Sequence, residues 1–417
     1  MVDMKKITSV FIILFISSIL FAQTATGNLE TYVGDIIDNA PGSSGDNYIV
    51  PNTSELNKWN SIVDYILVEN LVEARLKADE LNYQVTEFTD TSITPNLVFY
   101  ILEEKDSQFN YWGTYVFSKT PTRNNLIIQA PHSKYDINTG KQAVYCFKNN
   151  VARAVFINGT HRCNSDNYSS CSGTTSACGS SDNYRMSDLA HTTTSMFQKT
   201  TENLFNNISN SVFIQLHGFG KRASDPYVIM SNGTRETPVT DYAVNIKDAL
   251  LNEDNTLTFK LAHIDLNWNR LIAFTNTQGR MINNSSDYCN TSATSTSGRF
   301  IHIEQEKSKL RNDETGWGKM SNALSHVFSS TLKIENFDIV NSVLVAPNPS
   351  YGLIKVKGQN IDKIVIFNIL GQKIGSVVNF DNRDILVVDL NNKERGIYYL
   401  RINLKNKVSI IRKIIRL

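Results

Sequence analysis

Apolar residues recur at three- and four-residue steps from Ser54 to Leu81, where Leu56, Trp59, Ile62, Val63 and Ile66 form one stripe. The spacing predicts an amphipathic helix over 54–81, with Ser54 as its N-cap. Beyond it the apolar runs become short and rich in β-branched and aromatic residues, over 94–104, 111–119, 125–132, 152–159, 211–219, 256–264 and 299–305. These read as strands. Helical patterns over 187–207, 239–252 and 316–329 lie between several of them. Strands interleaved with helices predict an α/β domain, a mixed and largely parallel sheet flanked by helices on both faces.

After Val343 the pattern changes to short alternating runs separated by Asn, Gly and Pro, with no helical period. Residues 341–417 are therefore predicted to form a small all-β sandwich. At the other end, Lys5 and Lys6 precede an apolar run from Val10 to Phe21 that closes at Ala22 and Gln23, the form of a signal peptide over 1–22. The run is short for a bilayer and is followed by polar residues, so no transmembrane span is expected in the mature chain. The polar stretch 23–49 reads as a linker, which leaves 50–335 as the main domain.

Composition narrows the class. Hydrophobic residues make up 41% and charged residues 19% of the chain, enough apolar surface to exclude disorder, collagen and coiled coil. The formal charge is divided unevenly: residues 341–417 carry 13 Lys and Arg against 5 Asp and Glu, a net +8. Residues 1–340 hold the other 28 basic and 35 acidic side chains, a net −7, so the main body offers no basic surface for nucleic acid. That acidity also disfavours a long polyanion as substrate.

An exported chain can oxidise its cysteines. Cys163, Cys171, Cys178 and Cys289 lie in Ser-, Thr- and Asn-rich loops and suffice for two disulfides of open pairing, while Cys146 in the apolar AVYCF segment reads as a buried free thiol. The absence of a CxxC spacing argues against a zinc cluster of these four. The loops at 165–181 and 285–297 are long enough to predict disulfide-pinned rims of a cleft.

Three of the seven histidines stand at strand ends: His132, His161 and His217. In α/β sheets, sites form where strands give way to loops. Asp136 follows His132 by one turn, and two imidazoles with one carboxylate are a catalytic zinc set with one coordination position left for water. Glu304, in the apolar strand around Ile301 and Ile303, is the candidate general base. Glu306 shares its side-chain phase and is the substitute. Arg162 is a candidate for holding a substrate carboxylate or a developing oxyanion. Asp188 and His191, three apart on one expected helix face, are candidates for a supporting pair behind the metal ligands. No GxSxG elbow is present to suggest a serine nucleophile.

The order of a PH strand end followed by an acidic residue, a strand ending in LHG, and a strand carrying Glu304 before Leu310 and Arg311 resembles the zinc-dependent N-formylglutamate amidohydrolases and the related phage-type poly-gamma-glutamate hydrolases. The resemblance covers roughly residues 125–315. It implies a zinc carboxypeptidase-like fold, with Zn2+ on His132, Asp136 and His217 and Glu304 as the catalytic carboxylate. Asn276 and Arg280 match a substrate-binding element loosely, with Arg311 beside them. Carboxypeptidases place Glu three residues after the first His, whereas here Asp stands at four. The implied activity is a metal-dependent hydrolase of C–N amide bonds acting on glutamate-like, small peptide or acyl-amino-acid substrates. Carboxypeptidase specificity would use Arg162 as a clamp on a terminal carboxylate. The alternative is a catalytically inactive binding or adhesion protein of the same fold.

The C-terminal segment carries its own resemblance. Pro347-Asn348-Pro349-Ser350 with Gly352, Phe367 to Gly371, Asp389-Leu390 and Gly396 to Tyr399 closely resemble the type A sorting domain of the type IX secretion system. That implies the type IX machinery as partner, and a secreted or outer-membrane-attached protein of a Gram-negative bacterium.

Overall fold

The computed structural model describes residues 23–105, 109–328, 343–405 and 409–417. The signal peptide over 1–22 lies outside the described residues. The chain divides into two compact units, Met1–Thr331 and Leu332–Leu417.

The first unit begins with β1 (Thr24–Gly27) and α1 (Leu29–Asn39), so the segment read as a linker is part of the fold. β1 pairs in parallel with β2 (Tyr83–Asp90), and Asn28 caps α1 by accepting from the Glu30 and Thr31 amides. Leu29, Val33 and Ile37 then face the core from one side of the helix. The polar composition around them hid a three-residue apolar stripe. The helix expected over 54–81 is two: α2 (Thr53–Leu67), opened by an Asn52–Glu55 capping box, and α3 (Leu71–Asp79), capped by Asn70. Glu69 at φ 58° turns the chain between them.

The sheet continues through β3 (Leu97–Glu104), β4 (Thr114–Ser118) and β5 (Arg123–Ala130). Helix α4 (Thr139–Asn150) crosses to β6 (Ala152–Ile157), and a short hairpin, β7 (Thr174–Thr175) with β8 (Asp182–Asn183), precedes α5 (Met196–Asn207). Next come β9 (Val212–Phe219), β10 (Val228–Ser231), α6 (Tyr242–Glu253), β11 (Phe259–Leu261), α7 (Thr277–Ile282), β12 (Phe300–Glu306) and α8 (Glu314–Val327). Residues 187–195 precede α5 as turns, so the helix expected to start at Ser187 starts only at Met196, with Ser195 as its cap.

Ten strands form one mixed sheet in the order β1-β2-β3-β4-β6-β5-β9-β12-β10-β11. The central β6, β5, β9 and β12 run parallel, while β2, β3 and β4 pair antiparallel. Helices cover both faces. α1, α4, α6 and α8 pack Val33, Phe147, Ile246 and Leu324 over one, and α2, α3, α5 and α7 pack Trp59, Ala78, Phe197 and Ile282 over the other. Fully buried parallel strands explain why the central segments read as continuous apolar runs.

The second unit is all-β. Strands β13 (Leu344–Ala346), β14 (Leu353–Lys357) and β17 (Ile385–Asp389) make one antiparallel sheet. Strands β15 (Ile361–Asn368), β16 (Lys373–Val378), β18 (Gly396–Leu404) and β19 (Ser409–Arg416) make the other. Their shared core is aliphatic, around Ile354, Ile364, Val388, Leu400 and Ile414.

Candidate metal centre

The carboxyl ends of β5, β9 and β12 converge at one cleft. β5 stops at Ala130, and the Asp136 amide closes a helical turn onto the His132 carbonyl at 2.8 Å, which stacks the two side chains on one side. His217 sits in β9, and the register of the neighbouring strand puts Glu304 directly beside it. His132 Nδ1 and His217 Nδ1 lie 3.1 Å apart, and each is 3.4 Å from Asp136 Oδ2. Three ligands held about 2.0–2.2 Å from a tetrahedral ion stand roughly 3.3–3.5 Å from one another, so this triangle has the dimensions of a divalent-cation site.

The outer nitrogens decide which atoms face inward. His132 Nε2 donates to Asp188 Oδ1 at 2.8 Å and His217 Nε2 donates to Gln215 Oε1 at 3.1 Å. With both Nε2 atoms carrying hydrogens, both Nδ1 lone pairs point toward the Asp136 oxygen. Three acceptors cannot share so small a space without a positive charge among them. Burial and Arg162 oppose a charge on His132, but Asp188 and Asp136 prevail and raise its pKa. Burial lowers His217 to about 4; burial opposes the charge on Asp136, but the neighbouring His132 and His217 rings hold its carboxyl well below the usual carboxylate range. The donor set, two imidazole nitrogens and one carboxylate oxygen, fits a divalent cation.

Asp188 is fully enclosed and also accepts from Arg162 Nε at 3.0 Å and from Arg162 Nη2, which keeps it ionised against its desolvation. The remaining Arg162 nitrogen, Nη1, faces His132 Nδ1 at 3.3 Å. Asp188 and His191 do not share a helix face, because residues 187–195 are turns. Asp188 supports His132, whereas His191 Nδ1 bonds the Thr275 carbonyl and its ring stacks on Tyr184 at 3.8 Å, with burial lowering its pKa to about 3. His161, the third strand-end histidine, is half-buried against Tyr135 and accepts from the Cys163 amide.

Glu304 is 6% exposed, and burial followed by the charge of Asp136 pushes its pKa up to about 8. Its Oε2 has no hydrogen-bond partner among the described residues, and neither has Nδ1 of His302, whose ring lies 4.2 Å from that of His217. Two unpartnered buried polar atoms in one cleft are the mark of groups that await a ligand. His302 is a residue that sequence reading passed over. It shares the strand phase of Glu304, two positions on, so alternation carried the signal. His217, His302 and Glu304 form a second, overlapping cation-sized group, but it shares His217 with the first and so describes an extension of one centre. Glu306, half-buried, turns away to cap the turn after β12 by accepting from Ser308.

Gln215 was also unmarked. A buried chain runs from Gln215 Nε2 to Gln129 Oε1 at 3.0 Å and Gln278 Oε1 at 2.9 Å, which aims the Gln215 oxygen at His217. Asn276 caps α7 by accepting from the Gly279 amide and gives its own amide to Gln215 Oε1, so it borders the cleft with its polar atoms already committed. Arg280 and Arg311, expected to bind substrate, do structural work. Arg280 donates to the carbonyls of Phe274 and Cys289, and Arg311 to those of Gln305, Ile137 and Phe219. Arg311 passes so close under β9 that a Cβ on Gly218 would stand 2.3 Å from its guanidinium carbon, which accounts for the glycine of the LHG motif.

Disulfides Cys163–Cys178 and Cys171–Cys289 tie the two long loops, the second bridging them to each other, and Cys146 is free and buried. The cleft encloses about 470 Å³ and is lined by His132, Arg162, His217, His302 and Glu304 at its base; of the two loops expected to rim it, the first contributes Thr174 and Thr175, whereas residues 269–276 stand where 285–297 was expected.

Residues 344–416 match the secretion system C-terminal sorting domain family. The protein is thus secreted or displayed at the cell surface, with the type IX secretion machinery as the partner of its C-terminal unit. No helix among the described residues is long and apolar enough to cross a membrane. No curated protein matches the chain. Among solved structures, a protein of Shewanella amazonensis, named provisionally as a metallopeptidase, is similar at 11% identity over 64% of this chain and 95% of that one, with a TM-score of 0.27. At that score it carries no argument about fold or activity.

Proposed function

We propose that the chain is a secreted, metal-dependent hydrolase of amide bonds, with His132, Asp136 and His217 as the ligands of one divalent cation, zinc by the nature of the donors. The observation that carries this reading is the triangle of 3.1–3.4 Å between the two Nδ1 atoms and Asp136 Oδ2, with both outer nitrogens already engaged. The cation, when bound, supplies Lewis acidity toward a substrate carbonyl and makes nearby water more acidic.

The chain's own groups do the rest. Asp188 fixes the His132 ring and its tautomer, and Gln215 fixes those of His217. Glu304 Oε2, unpartnered and next to His217 in the register, takes a proton from the attacking water and returns it to the leaving nitrogen. Arg162, anchored through Nε and Nη2 on Asp188, keeps Nη1 at the cleft base for the charge that develops on the carbonyl oxygen. That anchorage does not suit a clamp reaching for a terminal carboxylate.

Metal content and turnover test the reading together. The purified full-length chain should retain about one equivalent of zinc, lose it on His132→Ala or His217→Ala, and hydrolyse N-acylated amino-acid amides only when loaded. A chain that folds, binds no divalent cation and is unaffected by both substitutions is a surface binding protein instead.

A further inference from the structure

The upper part of the cleft differs chemically from its base. Leu271, Ile272, Ala273 and Phe274 form one side, flanked by Asn269 and Thr275, and Thr174 and Thr175 of the β7–β8 hairpin form the other, with Tyr184 beside them. Among the described residues, the one Lys or Arg that lines the cleft, Arg162, is at the base and paired with Asp188. Nearby arginines are spent elsewhere: Arg280 on carbonyls, Arg270 on Asp225, and Arg235 on the Ala262 and Trp268 carbonyls with its guanidinium 5.2 Å over the Phe274 ring. No carboxylate lines the upper walls either; the acidic lining residue is Glu304 at the base.

This wall is held rigidly. Leu271 at φ 57° and Ala273 at φ 59° both occupy the left-handed region, which non-glycine residues adopt only when their surroundings enforce it. The surroundings are visible: the Phe274 carbonyl accepts from Arg280 at 2.8 Å and from Ser292 at 3.1 Å, and the Thr275 carbonyl bonds His191. Thr275 Oγ1 is 3.0 Å from the Tyr184 hydroxyl. Arg280 and His191 therefore serve as positioning residues for the wall. The result is a fixed, half-buried apolar surface facing the unpartnered atoms of Glu304 and His302.

We infer that the cleft takes the side chain of an apolar residue, aliphatic or aromatic, next to the scissile amide, and disfavours an acidic one. The inference rests on the hydrolase reading for the orientation of the amide at the base, and it runs against the glutamate-like substrate that the sequence resemblance implies. A carboxylate lowered between these walls would lose its hydration with no cation to meet it, whereas an apolar side chain gains by covering Leu271, Ile272 and Phe274.

The test uses zinc-loaded full-length chain carrying Glu304→Gln, so that binding is measured without turnover. The probes are the N-acetyl amides of leucine, phenylalanine and glutamate, which differ in charge only at the side chain. Titration calorimetry should rank phenylalanine and leucine at least about 10-fold tighter than glutamate. Leu271→Arg should narrow or reverse that ranking by about 10-fold, with thermal unfolding as the check on its fold. Equal or tighter binding of the glutamate amide to the Glu304→Gln chain overturns the inference whether or not the Leu271 variant folds. Failure of the parent enzyme to turn over every one of the amides overturns the hydrolase reading instead, and leaves the binding ranking to decide what the wall selects.

Discussion

In the C-terminal unit the buried polar side chains among the described residues are Ser350 and Asn379, whereas the first unit buries His132, His217, His302 and Glu304 at the base of one cleft, with Asp136 and Asp188 packed against His132. Both regions are built on apolar β-strands. In the sandwich, strict alternation along Leu353–Lys357 and Gly396–Leu404 supplies a core of Ile354, Val356, Leu400 and Ile402. Nothing in that core has chemistry to perform. In the α/β unit the same kind of strand ends in ionisable groups whose burial costs stability unless each is paired. The contrast locates function: the sandwich shows what folding alone asks of a strand, and the cleft shows what remains when folding has been subtracted.

The sharpest way to widen that contrast is Glu304→Gln. The substitution keeps size and burial while removing the proton acceptor, so turnover should fall by about 1,000-fold with zinc content and thermal midpoint retained. Metal analysis and steady-state kinetics on one preparation give both readings; undiminished turnover would remove Glu304 from the role of base. The matching experiment in the other region is Leu400→Ala. Leu400 is fully buried opposite Ile366, and truncation should cost about 2–5 kcal/mol. Its effect is expected in thermal unfolding and in export, with zinc content equal to that of the parent. A variant that loses zinc would show that the two regions are less separable than their cores suggest.

A smaller effect belongs to the rim. Cys171–Cys289 joins residues 118 apart in sequence and bridges the loop that carries the β7–β8 hairpin to the one whose Cys289 carbonyl Arg280 holds. Replacing both cysteines by serine should lower stability by about 2–4 kcal/mol. Because the ligands lie at the base, zinc should stay bound, and KM for an apolar amide should rise more than kcat falls. Equal losses in both constants would place the rim closer to the chemistry than its contacts indicate.

The sequence was most readable where one local rule sufficed. Alternation and turn residues marked the sandwich, and the apolar setting of Cys146 set it apart from the four loop cysteines. His132, Asp136 and His217 come together because strand ends gather in parallel sheets, a rule that needs no knowledge of partners. Reading failed where a side chain answers to something distant. Arg280 and Arg311 look like free cations in sequence, yet their partners are backbone carbonyls, which no motif displays. α1 is illegible because a stripe of three core-facing apolar residues, Leu29, Val33 and Ile37, in a polar stretch resembles a linker until Asp90 and Lys148 are known to meet its first turn. His302 is legible in principle, since strand alternation puts it on one face with Glu304.

The finest distinction between the two regions concerns buried glutamine. Gln215 and Gln129 lie in the apolar strands β9 and β5, where the sandwich would have an aliphatic residue, and donation runs in one direction, from His217 to Gln215, from Gln215 to Gln129 and from Gln129 to Thr201. That direction makes the Gln215 oxygen an acceptor, obliges His217 Nε2 to carry its hydrogen, and leaves Nδ1 bare for a cation. Gln215→Leu keeps volume and apolar packing but removes the acceptor, so His217 can adopt either tautomer and turn its ring. Zinc affinity should drop about 10-fold, at the lower end of what such outer partners contribute, and Glu304-dependent turnover at saturating zinc should change far less. Competition with a chromophoric chelator measures the first quantity and kinetics at excess zinc the second. If affinity is unchanged, the glutamine chain is core packing with polar atoms, and the difference between the two regions reduces to the six ionisable residues in and behind the cleft.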